Sequence, residues 1–145
     1  MSQSKVTKTL AATLDALEPI RNFITEASTS SGLDKKKTYN LCLAVDEIAT
    51  NIIIHGYQKH GVENGNVYLT ITADDANLEV ILEDEAVPFD PIQHALPTEE
   101  ALKKSLEDRP IGGLGVMIAH KSVDKFQYEF LNNRNRNIFT VGLAN

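Results

Sequence analysis

The segment 43–57, LAVDEIATNIIIHGY, constrains this chain more than any other. At helical spacing, Leu41, Val45, Ile48 and Ile52 form an apolar stripe that has to be buried. Glu47, Asn51 and His55 form a second stripe, its members one helical turn apart. That spacing stacks a carboxylate and a carboxamide on a single helix face. A carboxylate accepts a proton, and a carboxamide oxygen ligates a hard cation such as magnesium. Asn is a mediocre helix former, and near the apolar end of this helix it needs a polar partner. An isolated E-x-x-x-N is most often a solvated helix face, so the rest of the chain has to decide between the readings.

The pattern along the chain predicts one domain over residues 1–145. Residues 5–11 alternate weakly and suggest a first strand. Leu14, Leu17, Ile20, Phe23 and Ile24 recur at helical spacing, and that helix is expected to end near residues 30–32. Asp34 is placed to cap the next helix, which carries the Glu47–Asn51 pair and is expected to stop near Gly56. Val67, Leu69 and Ile71, then Leu78, Val80 and Leu82, alternate as an antiparallel hairpin through a turn at 74–77. A short helix at 98–106, a loop at 107–115 and a helix at 116–123 follow. Phe126, Tyr128 and Phe130, with Ile138, Thr140 and Gly142, suggest a closing hairpin whose turn spans 132–137. The sum is an α+β, two-layer sandwich with helices on one face of a mixed, mostly antiparallel sheet.

Two later segments add chemistry. In EDEAVPFDP, residues 83–91, Asp84 lies just past a central strand, where its carboxylate can accept from a purine amino group or serve only as a strand-end turn. Ala86 leaves room for close approach, though less than Gly would. Phe89 can floor a pocket or pack in the core. In RPIGGLGVM, residues 109–117, Gly112, Gly113, Leu114 and Gly115 make a segment able to wrap a phosphate before a helix N-terminus. No Lys-Ser or Lys-Thr follows, so it is not a Walker A loop, and its place in the chain does not fit a dinucleotide-binding βαβ unit. A GGLG alone is more often a hinge. Arg109 offers a charged donor to a phosphate or a solvated loop charge.

Composition sets the exclusions. A net charge of −6, with no arginine-rich arm, argues against direct nucleic-acid binding. Cys42 is the sole cysteine, so no intrachain disulfide forms, and it reads as a small core residue. His55, His60, His94 and His120 lack zinc-ligand spacing. No apolar stretch approaches a membrane span, and the N-terminus lacks a signal-peptide h-region, so no membrane association and a cytoplasmic location are expected.

Taken in order, the three segments resemble those of the bacterial anti-sigma-factor serine kinases, a small branch of the GHKL, or Bergerat-fold, ATPases. The segment 43–57 resembles the N box of that branch, EDEAVPFDP its D-x-G-x-P-F-D-P stretch, and RPIGGLGVM its glycine-rich lid. NIFTVGL, with Thr140, resembles the closing strand whose threonine helps hold the adenine. The likeness runs from about residue 5 onward. It implies ATP and Mg2+ as cofactors, with Glu47 as general base, Asn51 as magnesium ligand and Asp84 on the adenine amino group. Gly112, Gly113 and Gly115 would let the lid fold over the phosphates. It also implies a serine/threonine kinase that phosphorylates a STAS-domain anti-anti-sigma protein and sequesters a sigma factor or analogous regulator. A homodimer through the first strand and helix is implied too, which a monomer mass by light scattering would refute. Ala86 departs from the family's usual Gly, and its methyl is expected to weaken nucleotide binding. That departure motivates a second reading, a nucleotide-sensitive or nucleotide-free partner clamp without kinase activity. A sensor histidine kinase ATPase domain is disfavoured, because the helix at 15–30 carries no acceptor histidine.

Overall fold

A computed structural model describes residues 4–91 and 121–143 of the chain. Strand β1 (Ser4–Ala11) leads through a short 3-10 turn into helix α1 (Leu17–Ser31) and then helix α2 (Lys35–Asn51). Strands β2 (Asn66–Ala73), β3 (Asn77–Asp84), β4 (Lys125–Leu131) and β5 (Arg134–Gly142) follow. They form a five-stranded sheet in the order β1-β2-β3-β5-β4. Every pairing among the described strands is antiparallel, so the mixed character expected of the sheet is not needed to account for them.

The period of two in the strands sorts the sheet into two faces. Val67, Leu69 and Ile71 of β2, Leu78, Val80 and Leu82 of β3, and Phe139 and Val141 of β5 are buried. They meet Ile20 and Ile24 of α1 and Leu41, Val45, Ile48 and Ile52 of α2 and the turn beyond it in one core. The apolar stripe of the 43–57 segment is therefore what docks α2 on the sheet, and this docking fixes the direction of the polar stripe beside it. Asp34 caps α2 as expected, its Oδ1 accepting from the Lys37 N–H at 2.7 Å. The turn at 74–77 is also as expected, with Asp74 Oδ1 accepting from the N–H groups of Ala76 and Asn77, both at 2.8 Å.

Two boundaries differ from the sequence expectation. The helix does not stop at Gly56. It continues as a π-helical turn over Ile52–Tyr57 and a 3-10 turn over Gln58–His60, and ends at Gly61, whose φ of 72° is the left-handed cap. Gly56 instead answers a packing need, because a Cβ there would stand 3.0 Å from the Ala86 Cβ. The second difference is the last hairpin. Its turn is only Asn132-Asn133, with φ of 55° and 64°, as a two-residue type I′ turn demands. Residues 134–137 belong to β5, where strict alternation sends Asn135 and Asn137 inward and Arg134 and Arg136 outward. Their polarity hid a strand. The expected helix at 98–106 and loop at 107–115 lie outside the described residues, as does nearly all of the helix at 116–123.

The π-turn is anchored by Tyr57, which is 3% exposed. Its hydroxyl donates to the Asn66 carbonyl at 2.8 Å and accepts from the Glu85 N–H at 2.7 Å. Burial raises the phenol to about 12, so it remains a donor throughout the neutral range. Replacing Tyr57 with Phe leaves both backbone groups without this partner. The expected cost is about 1–3 kcal/mol, read as a lower urea midpoint at unchanged slope.

Candidate functional site

A cavity of about 220 Å3 opens between the end of α2 and the ends of β3 and β5. Ile48, Asn51, Ile52, His55 and Gly56 line it from the helix side. Asp84 and the segment Ala86, Val87, Pro88, Phe89 and Pro91 line it from the β3 side, with Asn135 and Asn137 from β5. An apolar chamber with a few convergent polar groups is the usual form of a small-molecule site.

Asp84 is the centre of its polar wall. It is 1% exposed, at the end of a strand with neighbours on both sides. Its Oδ1 accepts from the Ala86 N–H at 3.0 Å and from Asn135 Nδ2 at 2.9 Å. Its Oδ2 is buried and has no hydrogen-bond partner. Burial dominates its titration and raises the carboxyl to about 6, against the opposing hydrogen bonds from Asn135 and Ala86. A fixed carboxylate on the cavity wall, with one oxygen engaged and the other without a partner, can accept from an N–H donor of a ligand.

Asn135 holds that geometry. Its amide also donates to the Ala86 and Val87 carbonyls at 3.2 Å, and its Oδ1 accepts from the Phe89 N–H at 3.0 Å and from the Tyr128 hydroxyl. One side chain thus fastens the strand end and the loop after it. Asn137, 3% exposed, lines the same cavity with an unpartnered Oδ1. Outside the sheet, Arg134 lies 3.6 Å over the Tyr68 ring, and Arg136 contacts Glu83 and Glu129 at 2.7 Å each. These outward contacts hold the register that keeps Asn135 and Asn137 inward.

The residues expected from the sequence are distributed unevenly. Asn51, Asp84 and Ala86 share the cavity wall, and Phe89 joins them. Glu47 is half-buried one turn before Asn51 and is not among the lining residues. Burial first, and then the Asp46 charge, raises its carboxyl above the ordinary value and makes it a stronger base. Thr140 corrects the sequence expectation. Alternation in β5 puts it beside Glu79 and Lys125 on the sheet face away from the helices, so it does not reach the cavity. Arg109, Gly112, Gly113, Leu114 and Gly115 lie outside the described residues. His55, on the same helix stripe as Asn51, lines the cavity and has a buried, unpartnered Nδ1. Burial, and to a lesser degree Lys59, lower its pKa. Sequence reasoning misses Asn135 and Asn137, although the alternating N-R-N-R-N run into Phe139 and Val141 carries the signal.

Comparison with known proteins agrees with this architecture. Residues 10–141 match the family model of the histidine kinase-like ATPase domain. The chain belongs to that family, whose nucleotide-binding fold is the GHKL fold. It is 30% identical over 116 residues to the anti-sigma F factor of Bacillus licheniformis, covering 80% of this chain and 66% of that protein. It is 28% identical over 122 residues to the anti-sigma F factor of Priestia megaterium, covering 83% and 70%. The anti-sigma F factor of Clostridium acetobutylicum is 31% identical over 108 residues, covering 73% and 71%. The chain thus spans just under two thirds of the length of the first of these relatives. Among solved structures, that of the RsbU and RsbW domains of Rv1364c from Mycobacterium tuberculosis matches with a TM-score of 0.61 at 18% identity. That match covers 95% of this chain and 32% of the other, and it supports the fold. Among the described residues no helix is long and apolar enough to cross a membrane.

The Asp84 carboxyl makes a prediction for the ligand-free protein. Its folded pKa of about 6 stands above its unfolded value near 3.8. The native state therefore holds the proton more tightly between those pH values, and stability falls as pH rises through the window. Asp84→Asn removes that dependence. Denaturant titration is expected to show the variant more stable than the wild type at pH 7, by up to about 3 kcal/mol, with the advantage vanishing near pH 4.

Proposed function

We propose that this chain is an ATP-dependent serine/threonine kinase and anti-sigma regulator in a partner-switching system. It would phosphorylate a STAS-domain antagonist and sequester a sigma factor or analogous regulator. The observation that carries the nucleotide part is the unpartnered Oδ2 of buried Asp84, a residue of the cavity wall. It fits the amino edge of adenine, as the family membership leads one to expect. The similarity to anti-sigma F factors supports the regulatory part.

The chemistry asks for a base, a cation ligand and a base-reading acceptor. Phosphoryl transfer from ATP to a serine hydroxyl needs mainly positioning and charge neutralisation. Glu47, with its basicity raised by burial, would take the hydroxyl proton. Asn51 faces the cavity at the end of α2, and its carboxamide oxygen would hold Mg2+. Bound magnesium supplies charge neutralisation at the phosphates. Among the described residues no group of three or more His, Cys, Asp and Glu gathers as a metal cage. A single Asn fits that finding, since magnesium is commonly held by one or two protein groups together with substrate phosphates. Gly112, Gly113, Leu114 and Gly115, with Arg109, would close over those phosphates as part of the same reading. A homodimer through β1, an edge strand of the sheet with largely exposed side chains, also belongs to it.

The partner-clamp reading rests on Ala86. Its methyl lines the cavity, yet it also stands against Gly56, which lacks the carbon that would collide with it. The helix thus gives room on one side for what the methyl takes on the other. The two readings separate in one experiment. With ATP-Mg and a STAS-domain substrate, the wild type is expected to transfer phosphate to serine or threonine, and Glu47→Gln to lose at least about 100-fold in rate while still binding ADP. No transfer by the wild type to any STAS candidate, with sequestration intact, would favour the clamp.

A further inference from the structure

We propose that His55 hydrogen-bonds the sugar hydroxyls of the bound nucleotide and so selects a ribonucleotide over its deoxy counterparts. The inference rests on the nucleotide reading above and gives a partner to the sugar, which that reading leaves without one. Asn51, His55 and Gly56 follow one another along the helix side of the cavity wall. Asn51 ends α2 and is the residue that would hold magnesium at the phosphates. Gly56 lies against Ala86, where an added Cβ would stand 3.0 Å from the Ala86 Cβ. Ala86 in turn gives its N–H to Asp84, the residue that would meet the base. His55 therefore comes between the phosphate end and the base end of the wall, one helical turn or about 6 Å beyond Asn51. In a nucleotide the sugar joins the phosphates to the base, so a ligand that spans Asn51 and Asp84 carries its sugar past this side chain.

The imidazole has an unmet need of the matching kind. Its Nδ1 is buried and has no hydrogen-bond partner, although buried polar atoms are ordinarily paired. Burial, and then Lys59, lower its pKa, so the ring is neutral at pH 7.5. A neutral imidazole carries one N–H and one lone pair. A phosphate oxygen only accepts, and a neutral ring offers it no charge to pair with. A sugar hydroxyl both donates and accepts, so it satisfies Nδ1 in either tautomer. His60, the other histidine of the wall, is exposed and open to water. A site that bonds a hydroxyl rejects the analogue lacking it, because its own buried polar atom is then left unpaired.

ADP, 2′-deoxy-ADP and 3′-deoxy-ADP differ only in the sugar hydroxyls and are the probes. Calorimetric titration of each, with magnesium at pH 7.5, is made on the wild type and on His55→Phe. Phe keeps a ring on the wall and removes both nitrogens, so apolar contact with the ligand is retained. The wild type is expected to bind ADP at least about fivefold more tightly than one of the two deoxynucleotides. His55→Phe is expected to lose about fivefold or more in ADP affinity and little for that deoxynucleotide, so that the preference disappears. Equal losses for all three would mark a packing or phosphate contact and overturn the proposal. A wild type indifferent to both hydroxyls, or a preference that survives in the variant, would overturn it too. A wild type that binds none of the three would overturn the nucleotide reading itself, and this inference with it. Should the variant fail to fold, the ring nitrogen resonances of His55 in the wild type decide. They should move on addition of ADP and much less on addition of 2′,3′-dideoxy-ADP, and equal movement with the two contradicts the proposal.

Discussion

The site depends on one buried carboxamide. Asn135 donates to the Asp84 carboxylate and to two carbonyls of the following loop, and it accepts from the Phe89 N–H and the Tyr128 hydroxyl. Without it the loop that forms half of the cavity would lose its bonds at the Ala86 and Val87 carbonyls and the Phe89 N–H, and Asp84 would lose one of the two bonds that fix its Oδ1. A buried network is costly when only partly satisfied. Here Asn135 is well used, and of the four buried side-chain atoms without a partner among the described residues, three are on the cavity-lining residues Asp84, Asn137 and His55, the fourth being Ser28 Oγ.

A second set of contacts steadies the peptide after Asp84 from both faces of the sheet. Tyr57, from the π-turn, accepts from the Glu85 N–H, while Tyr68 on the opposite face donates to the Glu85 carboxylate. The π-turn supplies this reach because its wider winding continues the helix past Asn51 to Tyr57, so that Asn51 and His55 face the cavity while Tyr57 enters the core. Such turns recur where a helix contributes to function. The same turn brings Gly56 against Ala86, so the helix backbone and the loop approach as closely as their side chains permit. Stability is given up at Asp84, whose burial disfavours its charged form, in exchange for a pre-oriented acceptor.

Much of this is legible in the sequence where apolar periodicity is strong. The stripe from Leu41 to Ile52 marks α2 and the orientation of Asn51. The alternation in β2 and β3 marks the central hairpin and leaves Asp84 at its end. Asp34 announces its cap. What the sequence conceals depends on tertiary contacts or on polar strands. Gly56 looks like a helix stop because its propensity is poor, but the nearness of Ala86 is what requires it. The run from Asn132 to Asn137 looks like a turn because it is polar, but only its first two residues turn. The rest alternate between a salt-bridged outer face and a buried inner one, a pattern that uniformly polar residues disguise. Thr140 resembles an adenine-holding threonine by motif, but the alternation of β5 turns it to the sheet face opposite the cavity.

The central claim is that the open oxygen of Asp84 recognises a nucleotide base. Calorimetric titration of ATP with magnesium into the wild type and Asp84→Asn, at pH 7.5, tests it most directly. Asn preserves the bonds to Ala86 and Asn135 through its oxygen but turns an amide donor toward the cavity. The account predicts measurable binding by the wild type and a loss of about 100-fold or more in the variant, with the fold intact. Equal affinity in the two proteins would contradict it and place the nucleotide elsewhere.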